Sequence, residues 1–112
     1  MFKALKPTLA ASIIAATFSF NTFAADVEKI HFLIPGGAGG GWDMTARGTG
    51  DVLVKSDIVE NVSFQNLSGG GGGKAIAHLI ETAQRQEDTL MVNSTPIVVR
   101  SLTGIFPQSF RD

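Results

Sequence analysis

Three short apolar stretches, each bounded by glycine, proline or polar residues, are spread along the chain. "KIHFLIP" (Lys29–Pro35) has a β-branched and aromatic centre and stops at a proline, which predicts a buried strand. "NVSFQN" (Asn61–Asn66) predicts a second strand and "TLMVN" (Thr89–Asn93) a third. The hydrophobic pattern therefore predicts a β-structure whose strands are separated by long connections.

The connections between the strands are predicted to be helical. We expect a first helix from about Trp42 to Lys55, with Asp43 in its first turn, where an acid is favourable. Gly48 and Gly50 weaken this helix unless they let it pack closely on a sheet.

The later connections are also helical. A second helix is predicted to run to about Gln86, because apolar residues recur at i, i+3, i+4 and i+7. These residues are Ile76, Leu79, Ile80 and Ala83. Ser94 or Thr95 can cap a third helix that has Pro96 near its first position and ends around Gly104.

Strands that alternate with helices predict an α/β fold, here a βαβαβα unit with a parallel sheet and right-handed crossovers. In such a sheet, the loops that leave the carboxyl ends of the strands share one edge, where ligands bind. Three loops are of this type: the first glycine loop (Gly36–Asp43), the second glycine loop (Ser68–Lys74) and the third loop (Asn93–Pro96).

The N-terminus is typical of a secretory signal. Lys3 and Lys6 precede an apolar stretch, which ends in small residues before Ala25. We expect cleavage after Ala24, export to the periplasm, and a domain formed by residues 25–112. The apolar stretch is short for a membrane anchor.

Charge and cysteine content narrow the functional classes. Cleavage would leave seven basic and ten acidic residues, a balance that argues against a nucleic-acid partner. The chain has no cysteine, so disulfides, thiol catalysis and thiolate metal sites are excluded.

Enzyme motifs fail on spacing. Before the Gly73–Lys74 pair, Ser68 stands where a nucleotide-binding P-loop has its first glycine, and Ala75 stands where it has a hydroxyl. A dinucleotide fingerprint that starts at Gly37 would need a glycine at Trp42. His31 and His78 lack a serine or carboxylate at an informative spacing. We therefore expect no catalytic residues, no metal and no cofactor.

Anion binding is the remaining interpretation of so much glycine. Glycine loops let backbone N–H groups approach a ligand, and helix N-termini add unpaired donors. The hydroxyls of Ser68, Ser94 and Thr95 can add directional bonds. Asp43 would repel an anion, so we expect it to cap its helix or to accept a bond from a ligand hydroxyl, amine or water.

Three other side chains near these loops have two open interpretations each. Trp42 either walls the ligand cleft or only packs between helix and sheet. Arg47 and Lys74 are more often surface or ion-pair residues than ligand contacts.

"LIPGGAGGGWDMTARG", "NLSGGGGGKAIAHLIE" and "TLMVNSTP" together resemble the N-terminal part of the solute-binding receptors of tripartite tricarboxylate transporters. That family's first loop carries paired glycines followed by D-x-x-A-R, and the elements matched here are Gly40, Gly41, Asp43, Ala46 and Arg47. Its second loop normally reads near P-G-A-G-G. The proline is absent here and glycine is more abundant, as in the citrate-type receptors.

The resemblance implies a periplasmic two-lobed receptor with a type II periplasmic-binding-protein-like fold. Such a receptor captures citrate-like carboxylates and delivers them to a membrane permease with one large and one small subunit. Carried over by position, the implied ligand-binding residues are Gly37, Ala38, Gly39, Gly40, Gly41, Trp42, Asp43, Ser68, Gly69, Gly70, Gly71, and, as a weaker transfer, Asn93, Ser94 and Thr95.

Length is the main departure from the family, whose members are roughly three times longer. The resemblance therefore implies an N-terminal fragment that forms part of the first lobe. Two alternatives remain open: an exported α/β interaction module without a small ligand, and a secreted enzyme that acts on nucleotides or phosphates.

Overall fold

The computed structural model describes residues 27–109 and 111–112, so the predicted signal peptide lies outside the described residues. Six main elements follow one another: β1 (Val27–Ile34), α1 (Gly41–Lys55), β2 (Val59–Asn66), α2 (Gly73–Glu81), β3 (Thr89–Met91) and α3 (Thr95–Leu102). Short 3₁₀ turns lie at Gly70–Gly72 and Ala83–Arg85. The predicted βαβαβα order is confirmed.

The three strands form one parallel sheet in the order β2-β1-β3. β1 lies in the centre, with Phe32 in register with Phe64 of β2 and with Leu90 of β3. The predicted parallel sheet is therefore confirmed. β1 and β2 each begin two residues earlier than predicted, and β3 ends two residues earlier.

One face of the sheet is covered by α1. Phe32 and Ile34 of β1 are buried against Ala46 of α1, and the rings of Phe32 and Phe64 stack with centroids 5.4 Å apart. The close approach depends on Gly50, since a Cβ there would lie 2.8 Å from the Phe64 ring. Gly50 thus permits tight helix–sheet packing, whereas Gly48 is exposed and a Cβ added there would meet no other element within 4 Å.

The opposite face carries the second core. Met91 is in register with Leu33, and side chains alternate between faces along a strand. Met91 therefore points away from α1, and it packs against the buried cluster of Ile76, Ile97 and Phe106. Helices on both faces make this a doubly wound α/β unit.

α2 is shorter than predicted, because it ends at Glu81 rather than near Gln86. The Thr82 hydroxyl donates to the carbonyl of His78 (2.6 Å) and accepts from Gln86 (2.9 Å), and residues 83–85 continue as a 3₁₀ turn. Such side-chain bonding to the backbone competes with regular helix. The predicted apolar face is therefore only partly buried: Ile76 belongs to the core, but Ile80 is 37% exposed and Ala83 is exposed. α3 likewise ends at Leu102, two residues before Gly104.

Candidate functional site

An open cleft of about 340 Å³ lies between the first glycine loop and the start of α3. Its lining residues are Gly36, Gly37, Gly40, Gly41, Trp42, Ser94, Pro96 and Arg100. β1 and β3 are neighbours, but β1 leads into α1 on one face and β3 leads into α3 on the other. The cleft thus occupies the topological switch point at the carboxyl edge of the sheet, where α/β proteins bind ligands.

A direct hydrogen bond connects the first and third loops. The indole N–H of Trp42 donates to the Ser94 hydroxyl, with Nε1 and Oγ 2.9 Å apart. The Trp42 side chain also packs against both core clusters while it lines the cleft. Trp42 therefore packs between helix and sheet and also lines the cleft, and its contact with a ligand stays a prediction.

Asp43 holds the first glycine loop from within. It is 4% exposed and is not among the residues that line the cleft. Its carboxylate accepts bonds from the Gly39 backbone (2.9 Å), the Arg47 Nε (3.0 Å) and the Asn66 amide (2.9 Å). The Arg47 bond above all, and then the bonds from Gly39 and Asn66, hold the pKa of Asp43 far below its usual range. Its charge is thus matched by protein donors. The expected cap is not formed, because the N-cap of α1 is Gly40 and receives no side-chain hydrogen bond; the carboxylate bonds the Gly39 N–H, Arg47 and Asn66 instead.

Asn66 is a site residue that the sequence analysis missed. It ends β2, and its side-chain amide donates both to the Gly36 carbonyl (3.0 Å) and to Asp43. The available signal was its position at the carboxyl end of a strand beside β1. Arg47 completes the cluster: it pairs with Asp43, donates to Asn66 (3.3 Å) and lies over the Phe64 ring at 4.9 Å. Arg47 is therefore an ion-pair residue, as one of its two interpretations held, and it does not line the cleft.

The second glycine loop has an unusual backbone. Gly69, Gly70, Gly71 and Gly72 all have φ between +57° and +138°, a region that side chains disfavour. Residues 68–71 do not line the cleft, but the Gly71 carbonyl accepts a bond from Arg100 Nη1 (2.9 Å). This loop is therefore connected to the cleft by its hydrogen bond with Arg100, which lines the cleft.

The fourteen implied ligand-binding residues divide into two groups. Five of them line the cleft together: Gly37, Gly40, Gly41, Trp42 and Ser94. Outside its lining lie Ala38, Gly39, Asp43, Ser68, Gly69, Gly70, Gly71, Asn93 and Thr95. The Asn93 amide donates to the Met91 carbonyl (3.3 Å) and borders a different hollow, next to α2.

Arg100 is the second residue that the sequence analysis missed. It lies one helical turn after Pro96 on α3, and residues at i and i+4 share a face. Both line the cleft. The signal in the sequence was the cation Arg100, four residues after the proline that marks the start of α3.

His31 has polar partners on the neighbouring strand. Its ring nitrogens are hydrogen-bonded to Ser63 Oγ (2.7 Å) and Gln65 Oε1 (3.2 Å), on the sheet face opposite Phe32. No group of three His, Asp or Glu side chains suited to a metal ion occurs among residues 27–109 and 111–112. In the same part of the chain, no helix combines the length and apolar character needed to cross a membrane.

Comparisons with protein families, with curated proteins and with solved structures gave no match.

Proposed function

We propose that this chain binds a small carboxylate in the switch-point cleft, as the first-lobe wall of a periplasmic receptor of the tripartite tricarboxylate transporter type. One observation carries the proposal. Gly37 and Gly41 line an open cleft, although nothing in the fold requires either residue to be glycine.

The backbone at these two positions is unremarkable in conformation and surroundings. Neither Gly37 nor Gly41 has a positive φ, and a Cβ at either would meet nothing within 4 Å. A missing side chain in open space is useful when a ligand must reach the backbone closely.

Unpaired donors accompany these glycines. Within the described residues, the Gly39 and Gly40 N–H groups are bonded to Asp43 and to the Gly37 carbonyl, whereas those of Gly37 and Gly41 have no protein acceptor. Gly41 also begins α1, whose first N–H groups lack intrahelical partners and lie at the positive end of the helix dipole. These donors suit a carboxylate oxygen.

The charge of the cleft points to the same class of ligand. None of its lining residues is acidic, and Arg100 is a cation. The nearby carboxylate of Asp43 is already matched by Arg47, Gly39 and Asn66. An anion in the cleft would therefore meet donors rather than a bare negative charge.

The finer parts of the proposal rest on the resemblance of the glycine loops. They are the citrate-like ligand, the membrane permease as partner and the two-lobed type II fold. The expected absence of catalysis rests instead on the failed spacing of the enzyme motifs. The resemblance also supports a periplasmic location, together with the predicted signal sequence.

NMR titration with citrate tests the proposal. We expect the amide signals of Gly37, Gly40 and Gly41, and the Trp42 indole signal, to shift saturably. Signals of Ser63 and Gln65, which are exposed on the edge strand β2 and do not line the cleft, should stay in place. The uncharged triamide of citrate is the matched control, since it keeps the shape and removes the charges. Absence of saturable shifts with citrate and with every other di- or tricarboxylate tried would refute carboxylate binding.

Exposed apolar side chains favour a second candidate function, an exported interaction module. Leu102 is 78% exposed, Ile105 is 60% exposed, and Leu90 on the edge strand is 52% exposed. A chain that melts cooperatively but shows no response to carboxylates would support this candidate instead.

A further inference from the structure

Arg100 brings a positive charge into the cleft from the wall opposite the first glycine loop. Its side chain extends from α3, and Nη1 donates to the Gly71 carbonyl at 2.9 Å. A guanidinium has five N–H donors. The carbonyl takes one of them, so most of the hydrogen-bonding capacity of Arg100 remains for another partner.

No protein acid neutralises this charge in the part of the chain that the structure describes. The ion pairs found there join Lys29 to Asp88, Arg47 to Asp43 and Lys55 to Asp51. Arg100 has a backbone carbonyl as its hydrogen-bond acceptor. A cation that lines a cleft without a carboxylate partner is suited to an anionic ligand.

The second glycine loop is shaped around this arginine. Gly71 has φ +65°, and a Cβ there would lie 3.0 Å from Cδ of Arg100. Glycine at this position therefore lets the Arg100 stem lie against the loop while the Gly71 carbonyl fixes the guanidinium. This gives the loop a role in the site although its residues 68–71 do not line the cleft.

We propose that Arg100 is a specificity-determining ligand contact that binds one carboxylate, while the free N–H groups of Gly37 and Gly41 bind another. This inference rests on the proposed function and sharpens its ligand class. Anion-binding groups on two walls favour ligands with at least two carboxylates over monocarboxylates. Gly71 acts as a positioning residue.

Substitution of Arg100 by glutamine in the full chain tests the inference, with citrate and acetate affinities measured by calorimetry or NMR. Charge-assisted hydrogen bonds contribute enough that we expect citrate affinity to fall by roughly tenfold to a hundredfold. Acetate, which can use the first glycine loop alone, should lose much less. The preference for citrate over acetate is the readout that a merely structural residue would not change.

Arg85→Gln is the matched control. It removes the same charge from an exposed arginine that borders other hollows and not the cleft. Its citrate affinity should equal that of the wild type. Arg100→Lys keeps the charge without the planar fork and should show an intermediate loss, and it carries the test if Arg100→Gln does not fold.

The outcomes separate the two proposals. If the wild type binds citrate and both Arg100 variants keep the same affinity and the same preference for citrate over acetate, Arg100 is not a ligand contact, and the proposed function stands. An equal loss in Arg85→Gln would show a general charge effect and would also overturn the inference. If the wild type binds no carboxylate, both proposals fail.

Discussion

In the second loop a positive φ or a close neighbour disfavours a side chain at every position from Gly69 to Gly73, whereas two cleft-lining glycines of the first loop have neither constraint. In the second loop four consecutive residues have positive φ, and a Cβ on Gly73 would lie 2.6 Å from Cβ of Phe106. In the first loop only Gly39 has a positive φ, +81°. Similar sequences therefore serve different purposes: one loop builds the core and holds Arg100, and the other exposes its backbone.

The two loops are also held by different forces. Gly72 and Gly73 are buried and pack near Ile97 and Phe106. The first loop is braced by the charged hydrogen bonds of Asp43 and Arg47. The second loop should thus depend on packing and the first on ionisation.

Gly73→Ala and Gly41→Ala give the largest expected contrast, since both glycines are the first residue of a helix. Alanine at 73 overlaps Phe106, and overpacking of this kind costs about 2–3 kcal/mol of unfolding free energy. Alanine at 41 meets nothing within 4 Å and should leave stability within about 0.5 kcal/mol of the wild type. Denaturant unfolding measures both. Equal losses in the two variants would end the distinction between the loops.

Gly70→Ala and Gly37→Ala should have opposite profiles: the first should lower stability, and the second should weaken citrate binding. Gly70 has φ +57° and open space, so alanine there should lower stability by about 1 kcal/mol through backbone strain alone. Gly37→Ala should leave stability within about 0.5 kcal/mol. Its methyl group, however, projects from the cleft lining and should weaken citrate binding. Thermal melts and a citrate titration on both variants measure the two effects. A stability loss in Gly37→Ala together with weakened citrate binding in Gly70→Ala would contradict the prediction.

Acid should destabilise the first loop by protonating Asp43, and we expect this loss of stability to be the smallest of the three effects at moderately low pH. In the folded protein the Arg47, Gly39 and Asn66 hydrogen bonds lower the pKa of Asp43, whereas an unfolded chain has the usual value of about 3.9. The stabilisation is therefore fully present above that pH and is lost as pH falls from there toward the folded-state pKa.

Melting temperatures from pH 6 to pH 3 measure this effect. The wild type should lose stability below about pH 4, and Asp43→Asn should start lower and change less. Asp51→Asn is the control, because Asp51 forms an exposed ion pair with Lys55 on the same helix. An unaltered pH profile in Asp43→Asn would show that the carboxylate does not brace the loop.

The local pattern of the sequence determined the elements and their order. Alternation and β-branched content predicted the strands, and the glycine and proline positions predicted where each helix begins. Parallel pairing then followed from the βαβ order, and with it the shared edge for the three loops. These features depend on neighbouring residues, so they can be inferred without the fold. The ligand and transport role come from the resemblance and remain predictions.

Only the tertiary structure decided which loop residues meet. It brought Asn66 to Asp43 across 23 positions and Arg100 to Gly71 across 29, and it bonded Trp42 to Ser94 across 52. Such contacts depend on strand order and on the face that each helix covers, and these are set by packing over the whole sheet rather than by local spacing. The difference between the two glycine loops is a property of this packing, because both loops are rich in glycine but the atoms around each Cα differ.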